Sequence, residues 1–434
     1  MKVLIFGLGV NGGGFTAAKY FLEHNHQVLV SDIKNENSFE KALKVLKELG
    51  AKFRLGEHQI EDFLWADLVI KNPGILPSNK YLQYAKHITT DFAYLFDNFN
   101  LDKTKIIGIT GTKGKTTTSH AIYHVLKKSG YNAKLVGNMG ISAFEIASYL
   151  EKSENTIDFL ICEFSSWQLR DTFLYMKNEF PQTQISIFTN LLEDHQNTYD
   201  SMERYLQDKL KLFNKNTKIA ICPKAFENTI KEITNLKKKN IIFSDEKIDK
   251  EFLEKPELIP AYKALLALNI KKENIFKHLN TFKGVAHRIE WVGFLDNILF
   301  VNDSAATIPE AIEFSISHFN KVNVHLICGG TDKNLKVDYM INTIRKAKSL
   351  TLLDGSFTQN KLIPYLKDNN IKFYGPYHNM NNAFDNTLAL AKKDDSISMK
   401  VVLLSPGAAS FDLFINEFDR GNQFKKLAKQ IIDK

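Results

Sequence analysis

What the 434-residue chain has little of narrows its class first. It holds only three cysteines, Cys162, Cys222 and Cys328, each alone inside an apolar run. That spacing excludes a disulfide framework, a paired-cysteine redox centre and a cysteine zinc site, and fits reduced core residues of a cytoplasmic protein. No uninterrupted apolar run approaches the roughly twenty residues of a membrane helix. The opening MKVLIFG is apolar for only a few residues before glycine, too short for a secretory signal. A cytoplasmic location with no membrane partner is therefore expected. Repeats and low-complexity tracts are missing too. Positive charge is in modest excess, 57 Lys and Arg against 49 Asp and Glu for a net +8. These lysines are scattered, as at Lys237 to Lys239 and Lys271 to Lys272, without interleaved aromatics. Such a surface serves anionic ligands and gives no nucleic-acid partner. The apolar share of 44% suits a globular protein, and the length is too great for one ordinary core.

What is present is organised as three α/β sets. Residues 1–93 alternate short β-rich runs (Lys2 to Phe6, Gln27 to Val30, Leu68 to Ile70) with helical stretches such as Glu40 to Leu49. Residues 94–295 contain KIIGIT, a glycine-rich turn, a helix from Lys115 towards Lys128, then the buried runs DFLICEF and QISIFTN. Residues 296–434 carry strand candidates at Ile298 to Val301, Val324 to Cys328, Leu350 to Leu353 and Val401 to Leu404.

The segment GITGTKGKTTT, Gly108 to Thr118, leaves a strand and enters a helix, as a phosphate cradle must. Gly111 and Gly114 free backbone N–H groups to close on an anion, Lys115 adds a charge, and the Thr116 hydroxyl is placed for Mg²⁺. The strict nucleotide-binding pattern wants glycine at position 109, where this chain has Ile109 and puts the glycine one earlier, at Gly108. A nucleoside triphosphate is the expected ligand. In GLGVNG, Gly7, Gly9 and Gly12 match the dinucleotide fingerprint, and Asp32 ends the next strand. Taken alone this says NAD, yet its physical content, a tight turn and a helix N-terminus, would serve any nucleotide diphosphate. KNPGI, Lys71 to Ile75, puts Asn72 and Gly74 at the carboxyl edge of the same sheet. Glu163, Asp194 and His195 lie at or just after the strand runs that flank the phosphate loop. Beside Thr116 they form a hard-cation site, or else merely cap strand ends. Lys209 falls on the apolar stripe of a helix starting near Ser201, among Met202, Leu206 and Phe213. It could snorkel, pair with a carboxylate, or lose its charge through burial and be modified.

In order, GLGVNG, NPGI, GITGTKGKTTT, GNMGI, EFSSWQL, Asp194 and His195, Lys209, HRIE, NDSAAT, GGTDK and LLSPGAASFDLF resemble the Mur ligases of peptidoglycan precursor synthesis over essentially the whole chain. EFSSWQL, and SPGAASFD followed by Asp419, Arg420 and Gly421, resemble the glutamate-adding branch. The resemblance implies an α/β fold of three domains: a Rossmann-like N-terminal UDP-binding domain, a central phosphate-loop ATPase-type domain, and a Rossmann-like C-terminal domain. It implies ATP, two magnesium ions, UDP-N-acetylmuramoyl-L-alanine and glutamate as ligands of a monomer. Asn11, Asp32, Ile33 and Gly74 would surround the uridine part, and Asn138, Ser165 and Gln168 the muramoyl-alanine part. Gly111, Thr112, Lys113, Gly114, Lys115, Thr116 and Thr117 would cradle ATP, with Arg288 and Asp303. Thr116, Glu163 and His195 would ligate metal, with Lys209 as a CO₂-derived carbamate. Thr307, Lys333 and Ser410 would face the amino acid. Lys115, Glu163, His195 and Lys209 would carry catalysis, His195 also being a candidate proton acceptor.

The chain departs from the family pattern at Ala305, where lysine is usual, at Ile308, where asparagine is usual, and at Glu417, where an aromatic is usual. The asparagines expected for adenine between Glu257 and Leu268 are missing. These departures predict a rebuilt amino-acid pocket, with Lys333 or another lysine supplying the lost charge. They also motivate alternatives: the same chemistry with L-glutamate or another amino acid, or a non-catalytic nucleotide-binding relative. The N-terminal glycines motivate a dinucleotide-dependent oxidoreductase, which leaves the phosphate loop unexplained.

Overall fold

The computed structural model describes residues 1–9, 13–35, 39–137, 141–152, 155–177, 179–192, 199–246, 256–319, 322–333, 335–396 and 399–433. They form two compact units, one of the described residues up to Phe282 and one from Lys283 onward. Asn11, Gly12, Asn138, Asp194 and His195 lie outside the described residues.

The first unit holds two parallel sheets. One contains β1 (Lys2–Phe6), β2 (Gln27–Asp32), β3 (Lys52–Leu55), β4 (Leu68–Lys71) and β5 (Ile88–Thr89), in the order β3-β2-β1-β4-β5. The other contains β6 (Lys105–Thr110), β7 (Ala133–Gly137), β8 (Phe159–Glu163), β9 (Thr183–Phe188), β10 (Ala220–Cys222) and β11 (Ile241–Phe243), in the order β11-β10-β9-β6-β8-β7. All pairings in both sheets are parallel. Connections reverse direction beside β1 in one sheet and beside β6 in the other, so ligand crevices open at the carboxyl ends of those strands.

The second unit has β12 (Glu290–Leu295), β13 (Ile298–Asn302), β14 (Asn323–Cys328), β15 (Ser349–Leu353), β16 (Tyr374–Tyr377) and β17 (Lys400–Leu404), ordered β12-β13-β17-β14-β15-β16. Among the described strands of this sheet only β12 is antiparallel. The expected α/β class with three largely parallel sheets is observed.

Continuous apolar runs form the central strands because both faces are covered. In β6, Ile107 and Ile109 enter one core and Ile106 another. In β13, Leu299 and Val301 face one core, while Ile298 and Phe300 face the other. Alternation of side chains thus feeds two helix layers from one strand. Cys162, Cys222 and Cys328 are buried and unpaired, and burial pushes their thiols up.

Candidate active site

Strand β6 delivers the chain into the phosphate loop, and the helix Lys115–Lys128 follows directly. Gly108 lies inside β6, where a Cβ would come within 2.4 Å of Leu212. The glycine that falls one place off the nucleotide pattern therefore serves close packing against the turn that follows the helix Met202–Leu210. Gly111 has φ +139°, and a Cβ there would lie 2.0 Å from Thr189 Oγ1, so both conformation and space demand glycine. The residues after β9 brace the loop: Lys113 N donates to Asn190 Oδ1 at 2.9 Å, and Thr189 Oγ1 donates to Lys113 O at 2.5 Å. Thr112 Oγ1 accepts from Leu192 N at 3.0 Å. Thr117 sits in the first helical turn. Thr189 and Asn190 were not singled out by the sequence, although the pair ends the run QISIFTN.

Two ammonium groups converge on one carbonyl. Lys115 Nζ donates to Gly111 O and Thr112 O at 3.0 Å each, and Lys209 Nζ donates to Gly111 O at 2.8 Å. Lys209 lies on the helix Met202–Leu210, whose Ser201 cap accepts from Arg204 N. It is 1% exposed and stands 4.2 Å over the Tyr205 ring, so it does not snorkel to solvent. Positive charge is thus concentrated at a helix N-terminus, where a phosphate is stabilised.

Glu163 ends β8, directly opposite Ile109 in register. Its carboxylate is 2% exposed and accepts from Thr116 Oγ1 at 2.9 Å and from Ser119 Oγ at 3.1 Å. A buried carboxylate within reach of a loop hydroxyl is an oxygen donor set that fits Mg²⁺. Ser119 is a site residue the sequence reading missed. It lies one helical turn beyond Thr116, a spacing that could have revealed it. Nearby, Ser165 and Gln168 form a reciprocal capping box at the start of the helix Ser166–Tyr175.

At the other crevice, Asp32 is engaged by backbone: Oδ2 accepts from Leu8 N at 2.8 Å and Oδ1 from Lys34 N at 2.9 Å. It holds the glycine turn closed. Ile33 is 67% exposed beside it. Asn72 links the two loops of this edge, its Oδ1 accepting from Gly74 N at 2.9 Å and its Nδ2 donating to Gly7 O at 3.4 Å.

In the second unit, Asp303 follows β13 and is buried. Its carboxylate accepts from Ile289 N, Ser405 Oγ and Ser315 Oγ, and burial raises its pKa while Arg288 opposes. His287 and Ile289, at φ +65° and +47°, put local strain in the HRIE segment around Arg288. Lys333 Nζ reaches Thr307 Oγ1 at 3.4 Å, bringing together two of the residues expected at the amino acid. Ser410 Oγ and Arg288 Nε are buried without hydrogen-bond partners among the described residues, as groups awaiting a ligand are. Arg420, fully buried, clamps this region by donating to the carbonyls of Ser304, Ala408 and Ala409. The sequence marks Arg420 only as part of a motif.

A doubly wound phosphate-loop domain with a buried carboxylate and lysine at the loop defines a nucleotide-dependent α/β enzyme. Comparison with known proteins narrows this. Residues 1–92 match the Mur ligase MurD-like N-terminal domain, and residues 109–279 the Mur ligase middle domain. The UDP-N-acetylmuramoylalanine--D-glutamate ligase of Borreliella afzelii is 36% identical over 99% of this chain and 98% of its own length. The enzyme so named from Treponema pallidum is 28% identical over 99% and 98%. Among solved structures, the UDP-N-acetylmuramate-alanine ligase of Thermotoga maritima superposes with a TM-score of 0.61 at 17% identity, covering 99% of both chains. That superposition shows the shared fold. The chain belongs to the Mur ligase family.

Proposed function

We propose that this protein joins glutamate, D-glutamate favoured, to UDP-N-acetylmuramoyl-L-alanine at the expense of ATP, as a monomer in the cytoplasm. The relatives named UDP-N-acetylmuramoylalanine--D-glutamate ligase support the activity and substrates in this reading. The observation that carries it is the convergence of Lys115 and Lys209 on Gly111 O beside the buried Glu163 and Thr116. An anion-binding loop and an oxygen donor set stand at one strand edge, as phosphoryl transfer between two anions requires.

We assign residues 1–93 to the UDP moiety, 94–295 to ATP and the acceptor carboxylate, and 296–434 to the amino acid and part of ATP. Asn11, Asp32, Ile33 and Gly74 hold uridine and its phosphates, Asp32 mainly by fixing the turn. Asn138, Ser165 and Gln168 place the muramoyl-alanine part. The loop Gly111 to Thr117 receives the triphosphate, with Arg288 and Asp303 as further ATP contacts. Thr307, Lys333 and Ser410 receive glutamate. The acceptor carboxylate attacks the γ-phosphorus and ADP leaves; the glutamate amine, after giving up a proton, attacks the carbonyl carbon of the resulting acyl phosphate, and phosphate leaves from the tetrahedral intermediate as the amide forms. Magnesium, held by Thr116, Glu163, His195 and Lys209 in its carbamate form, would screen the like charges of the reacting groups. Carbamylation at Lys209 replaces one of two ammonium groups on Gly111 O by an anion, easing their crowding and adding an oxygen donor. His195 is assigned as metal ligand and candidate proton acceptor.

The test is phosphate release from ATP against UDP-linked acceptors and a set of amino acids. Turnover must require both the UDP-muramoyl-alanine acceptor and glutamate. Ala305 and Glu417 favour a second reading, in which L-glutamate or a neutral amino acid is used, and the same assay separates them. Activity with no form of glutamate would remove the named substrate.

A further inference from the structure

Lysine ends the otherwise apolar strand β4, LVIK, and its side chain is wholly inside the protein. Lys71 Nζ donates to Asp171 Oδ2 at 2.5 Å, and the Asp171 side chain is equally buried. The two residues lie 100 positions apart, one on the first sheet and the other on the helix Ser166–Tyr175 of the neighbouring one. Each end of the pair is tied to a loop at a ligand crevice. Lys71 Nζ also donates to Asn72 O at 3.1 Å, and Asn72 grips Gly7 O and Gly74 N. Asp171 Oδ1 accepts from Arg170 Nε at 2.8 Å, and the helix carrying both begins at the Ser165–Gln168 capping box.

A charge pair here is a poor way to hold two layers together. Burial pushes the Lys71 ammonium down, against the pull of Asp171. Apolar residues of the same volume at such a seam are often as stable or more so. What a pair supplies and an apolar contact does not is direction: one donor atom must meet one acceptor atom, which forbids sliding of strand against helix.

We propose that Lys71 and Asp171 are positioning residues that set the span between the Asn72–Gly74 turn and the N-terminus of helix Ser166–Tyr175. They thereby match the distance between the uridine and carboxylate ends of the UDP-linked acceptor. This rests on the acceptor assignment given above. ATP, held by the loop after β6, does not depend on that span. The acceptor has to reach both crevices at once, and a small displacement of one of them carries a large kinetic cost.

The test is the pair K71M/D171N in the full chain, with thermal melting and separate KM values for the UDP-linked acceptor and ATP. Melting close to that of the unaltered protein is expected, with acceptor KM raised by about tenfold or more and ATP KM within about twofold. An unchanged acceptor KM, or equal rises in both KM values, overturns the proposal. Should K71M/D171N fail to fold, D171E decides: it keeps both charges and lengthens the link by one methylene. D171E is expected to melt normally with a raised acceptor KM, and an unaltered acceptor KM there overturns the proposal. Absence of acceptor-dependent ATP turnover in the unaltered protein would instead remove the ligase reading itself, so the two failures are told apart.

Discussion

Replacing Glu163 by glutamine tests whether that carboxylate serves the fold or the metal. In the folded chain it accepts two hydroxyl hydrogen bonds, from Thr116 at 2.9 Å and Ser119 at 3.1 Å, at 2% exposure. Glutamine has the same shape and keeps one acceptor oxygen, while its amide nitrogen can donate to a rotated hydroxyl. Each hydrogen bond to a charged acceptor is worth about 1.5–3 kcal/mol and each neutral one about 0.5–1.5, so two exchanges cost about 2–3 kcal/mol. Against this, the variant no longer buries an ionised carboxylate, a penalty of several kcal/mol. The terms nearly cancel, and a stability change within about 2 kcal/mol is expected. Catalysis has no such offset, because an amide is a much weaker ligand for a divalent cation than a carboxylate. A fall in kcat/KM of about a thousandfold, equivalent to about 4 kcal/mol, is expected, with a higher magnesium requirement. Initial rates of phosphate release over a magnesium series, beside thermal melting, measure both quantities. Ser119→Ala removes one hydroxyl and no charge, and should cost no more than about tenfold. Glu163→Gln with unaltered rates at limiting magnesium would refute the assignment, as would a rate loss explained by unfolding.

Other outcomes follow from the same geometry. Lys209→Ala should abolish turnover while ATP binding, followed by calorimetry, is largely kept, and added small carboxylates should restore part of the rate; full activity would remove the carbamate. Gly111→Ala forces a side chain to φ +139° and against Thr189 Oγ1 at 2.0 Å. The backbone part alone costs about 1–3 kcal/mol. A lower melting temperature and weakened ATP binding should result, and no change in either would contradict the loop geometry. Asp91 is pushed up to about 6 from 3.8, first by burial and further by the nearby Asp171 carboxylate. A raised carboxyl stabilises the fold fully below its unfolded pKa, and that contribution is lost as pH rises through the folded value. Asp91→Asn should therefore raise the melting temperature at pH 7.5, by up to about 3 kcal/mol of stability, with the gain vanishing below about pH 4. An equal gain at both pH values would refute it.

The central strands of all three sheets were legible because their residues are buried on both faces, whereas the half-exposed β3, β12 and β16, the short β5, β10 and β11, and β7 were not singled out as strands. KIIGIT and KVVLL must read as apolar runs if each side chain meets a helix layer. Lys209 was legible for the opposite reason, since a charge on an apolar stripe breaks the 3.6-residue pattern that surrounds it. What could not be read is what depends on partners distant in sequence. Asp32 matches a ribose-binding position, yet its two oxygens are taken by backbone N–H groups, a contact decided by how β1 pairs with β2. The orphaned Ser410 hydroxyl and the buried Arg420 depend equally on loops after different strands of one sheet. Lys71 opens the turn KNPGI, where a lysine beside asparagine and proline carries no sign of burial, and Asp171 stands in a stretch with no motif that singles it out. Neither breaks a local rule by itself. Only the stacking of one sheet's edge on the next layer's helix makes them a pair. The motifs therefore mark the phosphate loop and the strand ends around it, while Lys71 and Asp171, proposed to set the separation between two such edges, carry no pattern of their own.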